Sequence, residues 1–306
     1  MKKVLLYWNH ICILHNFEKK YLKELQEKLI KEEIELEVRF FGLGYEEHMS
    51  EYLARKDAIL PDIIVSADLE VYENKVLYNK LGDLYNTKEW MELKSDILTT
   101  ACIRKSTLLP VVAIPLVCYT TSPKECKEKS ILSMNTDFAF GGINNSAGKT
   151  IAKAVWEMYG NQSVQKLLES SKIYDMPIGA FQSVRTGINK TCLVPSLYAL
   201  RADNDKSFAT LFSEGEFILP SYCTCRTSID EEIGKQIVRS LFSKELLEIY
   251  SDNGDLHICL KSNLKKNREI SKFCCVSQKF LDELDDEIFY DIYTQYIPTA
   301  NKLLDI

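Results

Sequence analysis

Apolar runs and amphipathic stretches alternate over the first part of the chain. Residues 3–8 form a continuous apolar run, and residues 17–32 then place leucines at helical spacing on a charged background. Residues 33–41 alternate apolar side chains with glutamates, residues 46–55 have helical character, and residues 63–65 are apolar again. This pattern predicts the order strand, helix, strand, helix, strand. We therefore expect a parallel sheet whose strand ends line a ligand crevice.

Three extended segments are predicted farther along. Residues 109–119 are almost wholly apolar and contain two prolines, which exclude a helix. Residues 191–200 and 215–223 have the pattern of an extended pair, and residues 149–159 and 228–250 have helical patterns. Long strands of this kind fit two crossings between lobes.

The length of 306 residues is enough for two lobes, since single cores stop growing near ~250–300 residues. We predict an α/β protein in which each lobe is a mainly parallel sheet with flanking helices, joined by two hinge crossings. Residues 1–115 with 224–306 are expected to form a discontinuous first lobe, and residues 116–223 the second. The ligand cleft is expected between them.

Charge and cysteine content narrow the classes of function. The net charge is −6 and no basic block occurs, so nucleic acid is not an expected partner. No apolar stretch approaches the ~20 residues that cross a bilayer, so the chain is not expected to span a membrane. The ten cysteines are expected to be reduced thiols, because the first residues do not read as an export signal. These features predict a cytoplasmic protein.

The order of these segments resembles a known fold. It is similar to the type II periplasmic-binding-protein fold, which many ABC-transporter substrate-binding proteins share, including those for metal ions and oxyanions. The resemblance is carried by residues 61–66, 111–119, 141–146, 214–220 and 233–247. It implies a ligand held by loops after the first and third strands, by the hinge strands and by a helix start in the second lobe.

Carried over by position, the resemblance implies a set of ligand-binding residues. They are Trp8, Asn9, His10, Ser66, Asp68, Tyr119, Thr120, Asn144, Asn145, Ser146 and Tyr222. Arg185 joins them as a candidate partner of an anionic ligand, with a surface ion pair as the alternative.

Sulfur and imidazole groups give the strongest chemical signal. His10, Cys12 and His15 follow the first strand, and Cys223 and Cys225 are two apart, so alternation places both sulfurs on one face of a strand. A metal ion or metal cluster held by His10, Cys12, Cys223 and Cys225 would be chemically sensible, since thiolates select Zn, Cu(I) or iron–sulfur species. The alternative is that these thiols pack in the core.

A partial phosphate-binding motif occurs at the start of the helix over 149–159. Gly148, Lys149 and Thr150 match the end of a P-loop, but Ile143 stands where its first glycine belongs. The motif predicts a helix start without a nucleotide, although its backbone amides could hold an oxyanion.

The leading hypothesis is a solute-binding protein that closes on an oxyanion, a metal ion or a metal complex and is linked to an ABC transporter. One alternative is a cytoplasmic enzyme on the same scaffold, with Cys12 or Cys223 as nucleophile and His10 as base. Another is a ligand-sensing regulator that reports occupancy to a partner protein.

Overall fold

The computed structural model describes residues 1–298, apart from residues 43, 46, 126–127, 135–136, 143, 145, 201–207 and 210–211, and apart from the side chains of residues 12, 208 and 209. The chain forms two compact units. Unit 1 contains Met1–Ala113 and Pro220–Arg268. Unit 2 contains Ile114–Leu219 and the chain from Glu269 onward.

The strands are short except for two. They are β1 (Lys2–Asn9), β2 (Ile34–Phe41), β3 (Ile63–Ser66), β4 (Leu109–Thr120), β5 (Phe138–Gly141), β6 (Lys172–Tyr174), β7 (Thr191–Pro195), β8 (Phe208–Ala209), β9 (Glu216–Cys225), β10 (His257–Ile258) and β11 (Phe273–Cys274).

Helices follow most strands along the chain. They are α1 (His15–Ile30), α2 (Met49–Ala54), α3 (Glu70–Glu73), α4 (Lys75–Lys80), α5 (Ile97–Cys102), α6 (Ser146–Tyr159), α7 (Asn161–Ser170), α8 (Pro177–Arg185), α9 (Ser196–Leu200), α10 (Glu231–Leu241), α11 (Lys244–Gly254), α12 (Gln278–Glu283) and α13 (Asp286–Tyr296). Single 3₁₀ turns lie at Cys12–Leu14, Thr87–Trp90, Pro123–Glu125 and Ile131–Ser133. None of the helices that the structure describes is long and apolar enough to cross a bilayer.

The predicted order at the start of unit 1 is confirmed. β1 pairs in parallel with β2 and with β3, and β3 pairs antiparallel with β9. Helix α1 connects β1 to β2 and buries Leu22, Leu25 and Leu29, the leucines of its apolar stripe. Burying each leucine contributes ~1.5–3 kcal/mol relative to leaving it in water. Because β1, β2 and β3 run in the same direction, their carboxyl ends lie at the same edge of unit 1.

Strand β4 confirms the prediction of an extended, buried segment. All twelve of its residues are buried, including Pro110 and Pro115. Its first residues belong to unit 1, where Ala113 pairs with His257 of β10, and the remainder belongs to unit 2. β9 is likewise divided between the units, at Leu219 and Pro220. The two crossings thus lie within a few residues of the predicted boundaries.

The strands of unit 2 are arranged beside the second part of β4. β4 pairs antiparallel with β7, β7 pairs in parallel with β5, and β5 pairs in parallel with β6. Buried side chains from α6, α7 and α8 complete the core.

The C-terminal segment differs from the predicted lobe assignment. We expected residues 224–306 in the first lobe, but the chain from Glu269 belongs to unit 2. The reason is local pairing: β11 pairs in parallel with β9 at Glu216, and Phe289 of α13 contacts Trp156 of α6, with ring centroids 6.1 Å apart. Unit 2 is therefore also discontinuous in sequence.

The turn at Gly215, just before β9, allows a test of the β9–β11 junction. Gly215 has φ of 99°, and a Cβ there would lie 2.4 Å from the carbonyl group of Lys272. Gly215→Ala should lower the free energy of unfolding by about 3 kcal/mol, because backbone strain and overpacking act together. Urea unfolding followed by circular dichroism would measure this.

Gly187 is the matched control. Its φ is 78°, but a Cβ there would meet nothing within 4 Å. Gly187→Ala should therefore lower the free energy of unfolding by only about 1 kcal/mol, because backbone strain acts alone there. Equal losses at the two glycines would contradict a close approach at Gly215.

Candidate functional site

Six of the predicted ligand-binding residues lie at one edge of unit 1. Trp8 and Asn9 end β1, with His10 directly after them, and Ser66 ends β3. Tyr222 of β9 is paired with Ser66, and Asp68 follows two residues after Ser66. The carboxyl ends of parallel strands are the usual ligand-binding edge of such a sheet.

His10 has the most distinctive environment in this group. Its imidazole is buried, and Nδ1 lies 2.6 Å from Oε2 of Glu18, which is also fully buried. The ring stacks on Phe40, with centroids 4.8 Å apart and planes 11° apart. Since an ionised carboxylate only accepts hydrogen bonds, this contact places a hydrogen on Nδ1, and in the neutral imidazole the lone pair is then on Nε2. Nε2 is buried and has no hydrogen-bond partner among the residues that the structure describes.

Glu18 holds this arrangement from inside α1. Its carboxylate accepts a hydrogen bond from the Tyr250 hydroxyl at 2.8 Å and from the backbone amide of Ile11 at 3.3 Å, besides the one from His10. Burial raises the pKa of Tyr250 well above its usual value, and the neighbouring Glu18 raises it further, so the hydroxyl remains a donor. A buried carboxylate is tolerated when donors surround it in this way.

Sequence analysis missed Glu18, although a signal was present. Glu18 occupies the same helical stripe as Leu22, Leu25 and Leu29. A carboxylate inside an apolar stripe is either solvated at a helix end or paired in the core, and here it is paired. The charge pattern of α1 alone does not name its partner.

Trp8 contributes a second buried polar atom without a partner. Its side chain is fully buried, and the indole Nε1 has no hydrogen-bond acceptor within the described part of the chain. Buried indole N–H groups usually find an acceptor, so this donor is a candidate ligand contact.

Three other predicted residues are engaged within unit 1. The Asp68 carboxylate accepts from the backbone amide of Ser50 in α2, and the Ser66 hydroxyl accepts from the amide of Asp68 at 2.8 Å. The Tyr222 hydroxyl donates to the carbonyl of Cys102 at 2.8 Å. These contacts shape the loops around the edge.

The thiols of Cys223 and Cys225 lie in the core of unit 1. Both side chains are fully buried, and a Cβ at Gly234 of α10 would lie 3.0 Å from Sγ of Cys225. Burial raises the pKa of Cys223 well above its usual value and that of Cys225 to about 12, so both are protonated thiols. This is the environment of packed core cysteines.

No group of three His, Cys, Asp or Glu residues gathers to hold a metal ion within the described ranges. The structure thus does not bring His10 together with Cys223 and Cys225. The side chain of Cys12 lies outside the description, so its part in a metal site stays a prediction.

Unit 2 separates its predicted site residues into two groups. Thr120 and Phe138 both pair with Thr191, the first residue of β7. Tyr119 and Thr120 therefore lie beside the amino-terminal ends of β5 and β7. Ser146 begins α6, beyond the carboxyl end of β5, and Asn144 precedes it. Because β4 runs antiparallel to β7, its last residues lie at the far end from α6.

The remaining predictions for unit 2 have different outcomes. Asn145 lies outside the described residues. Arg185 is exposed at the end of α8, with its guanidinium 5.8 Å from the ring centroid of Phe181. Lys149 of the partial P-loop motif is buried, and its amine donates to the Tyr290 hydroxyl at 3.3 Å. That position agrees with a helix start without a nucleotide.

Several solved structures are similar to this chain in fold. Iron-bound HitA from Pseudomonas aeruginosa is 13% identical, with a TM-score of 0.67 over 97% of this chain and 99% of that one. Apo ferric ion-binding protein A from Pasteurella haemolytica is 11% identical, with a TM-score of 0.68 over 98% and 99%. The substrate-binding protein of an ABC transporter from Agrobacterium tumefaciens is 13% identical, with a TM-score of 0.62 over 98% and 96%.

The chain has the type II periplasmic-binding-protein fold. Neither a protein-family model nor a curated protein sequence matches it. The likeness therefore extends over the fold and nearly the whole length of each chain, and the fold by itself does not assign a ligand.

Removing Glu18 tests the buried network. Glu18→Ala should lower the free energy of unfolding by about 3 kcal/mol, because it leaves the donors of His10, Ile11 and Tyr250 without their acceptor. Glu27→Ala, on the exposed face of the same helix, should change it by less than about 0.5 kcal/mol. Urea unfolding of the two variants measures both changes. Similar losses of unfolding free energy would contradict a structural role for the Glu18 carboxylate.

The core thiols can be tested by alkylation. At about pH 8, Cys225 should react with iodoacetamide about a thousandfold more slowly than a free cysteine, because its raised pKa leaves little thiolate. Cys223 should be protected as well. Mass spectrometry of labelled peptides, before and after unfolding in urea, measures both. Rapid labelling in the folded protein would contradict core packing.

Proposed function

We propose that this chain is a solute-binding protein for a small metal-containing ligand, which it delivers to an ABC transporter. The observation that carries the proposal is the buried His10 imidazole at the carboxyl end of β1, fixed through Nδ1 by Glu18 and presenting Nε2. Histidines that bind metals usually donate their second ring N–H to a carboxylate or carbonyl, which fixes the tautomer. His10 meets that requirement before any ligand is bound.

The fold supports the same class of function. One of the similar structures is iron-bound, a second is a ferric ion-binding protein by name, and a third is a transporter's substrate-binding protein. Imidazole nitrogen is a suitable ligand for iron, zinc, copper and nickel.

A metal complex fits the described residues better than a bare ion. One imidazole does not hold a metal alone, and no three donors gather within the described ranges. A complex brings its own ligands, so the protein needs to supply fewer. The Trp8 indole N–H could donate to an oxygen atom of such a complex. Binding of a free oxyanion and closure of the two lobes on the ligand both stay predictions.

The structure bears on one of the alternative functions, that of an enzyme with Cys223 as its nucleophile. A nucleophilic role for Cys223 is disfavoured, since its thiol is fully buried and protonated. The proposals that Cys12 is a nucleophile, that the protein is a ligand-sensing regulator, and that it is cytoplasmic all stay predictions.

Calorimetry with defined probes tests the function. Ferric nitrilotriacetate, ferric citrate, zinc, phosphate and sulfate would each be titrated into the protein. We expect at least one metal-containing probe to bind, and His10→Ala to weaken that binding at least about tenfold, the loss of one good ligand contact.

The control is a second histidine of unit 1. His48 begins α2 as its N-cap, and His48→Asn keeps a residue that caps well. It should leave the affinity unchanged. If none of the probes binds, or if His10→Ala binds as tightly as the unaltered protein, the proposal is wrong.

A further inference from the structure

A cluster of sulfur atoms lies in unit 2, apart from the residues of the candidate site. Sγ of Cys274, the last residue of β11, is 3.4 Å from Sδ of Met158 in the last turn of α6. Cys275 follows directly in the chain. Both cysteines are partly exposed to solvent, and so is Met158.

Neighbouring contacts hold Cys274 and the chain segments that carry Met158 and Cys275. The Glu157 carboxylate accepts hydrogen bonds from both the backbone amide and the hydroxyl of Ser277, which ties the end of α6 to the chain after Cys275. Cys274 pairs with Phe217 through the β11–β9 ladder, and its thiol donates to the carbonyl of Glu214 at 3.2 Å. Three segments of unit 2 therefore hold the cluster.

The geometry also allows adjacent cysteines to act together. In a continuous strand, neighbouring side chains point to opposite faces. β11 ends at Cys274, however, and Cys275 lies beyond it in irregular backbone. Alternation therefore does not separate the two thiols.

The chemistry of the cluster selects a particular class of ligand. Thiol and thioether sulfurs are soft donors that favour Cu(I) and similar ions over Mg²⁺ or Ca²⁺. The Glu157 carboxylate accepts from the backbone amide and the hydroxyl of Ser277, two residues after Cys275, so a negative charge lies close to this segment and favours a cation.

We propose that Met158, Cys274 and Cys275 form a binding site for a soft monovalent cation, Cu(I). On binding, the Cys274 and Cys275 thiols each release one proton to solvent and form a Cu–S bond, while the Met158 thioether adds a neutral third ligand. The oxidation state of copper does not change. This site is independent of His10 and of the proposed solute.

Anaerobic titration with Cu(I) against a coloured Cu(I) chelator tests the site. Cys274→Ser and Cys275→Ser should each weaken binding at this site about 100-fold or more, since each removes a thiolate ligand, and Met158→Leu should weaken it about tenfold. Circular dichroism would establish that each variant is folded.

Two controls remove sulfur elsewhere. Cys259→Ala removes a buried thiol of unit 1, and Met91→Leu removes a thioether of unit 1; both should leave the tight Cu(I) equivalent intact. If Cys274→Ser or Cys275→Ser binds Cu(I) as tightly as the unaltered protein, the site is disproved. Unchanged binding by Met158→Leu would exclude the thioether as a ligand and overturn the three-sulfur site.

Discussion

Complete burial of β4 is the constraint on which the rest of the structure depends. Every backbone amide and carbonyl of a buried strand must find a partner in the protein, because an unpaired group loses its hydrogen bonds to water. β4 meets this demand by pairing with β10 in unit 1 and with β7 and β8 in unit 2. Pro110 and Pro115 have no amide hydrogen, which removes two donors from that requirement. One strand thus contributes to the core of each unit.

The same requirement acts on side chains at the end of β1. A carboxylate as deeply buried as Glu18 is costly unless donors surround it, and three donors converge on it: His10 and Ile11 from the loop after β1, and Tyr250 from α11. The outcome is a rigid imidazole whose second nitrogen is kept for another partner. The stability of this edge of unit 1 therefore depends on one carboxylate, and in the proposed function the same carboxylate holds the imidazole that binds the ligand.

Much of the fold could be predicted from the sequence, because its signals are local. The apolar run of β1, the leucine stripe of α1 and the prolines of β4 each determine the conformation of the segment that contains them. The site could be predicted only where it depends on strand ends, as at Trp8 and His10. The positions of the other predicted site residues depend on strand direction. β4 runs antiparallel to β7, which separates Tyr119 from Ser146. Pairings distant in sequence, such as Glu18 with Tyr250, leave no local pattern.

The segment that pairs β11 with β9 and packs α13 on α6 has a consequence for biosynthesis. Unit 1 needs Pro220–Arg268 to complete its core, and unit 2 needs the chain from Glu269 onward. Neither unit can therefore finish folding while the ribosome is still making the middle of the chain, and the apolar face of α6 that includes Trp156 must wait for Phe289. Nascent chains of this protein therefore leave that face of α6 uncovered until the residues of α13 have been made.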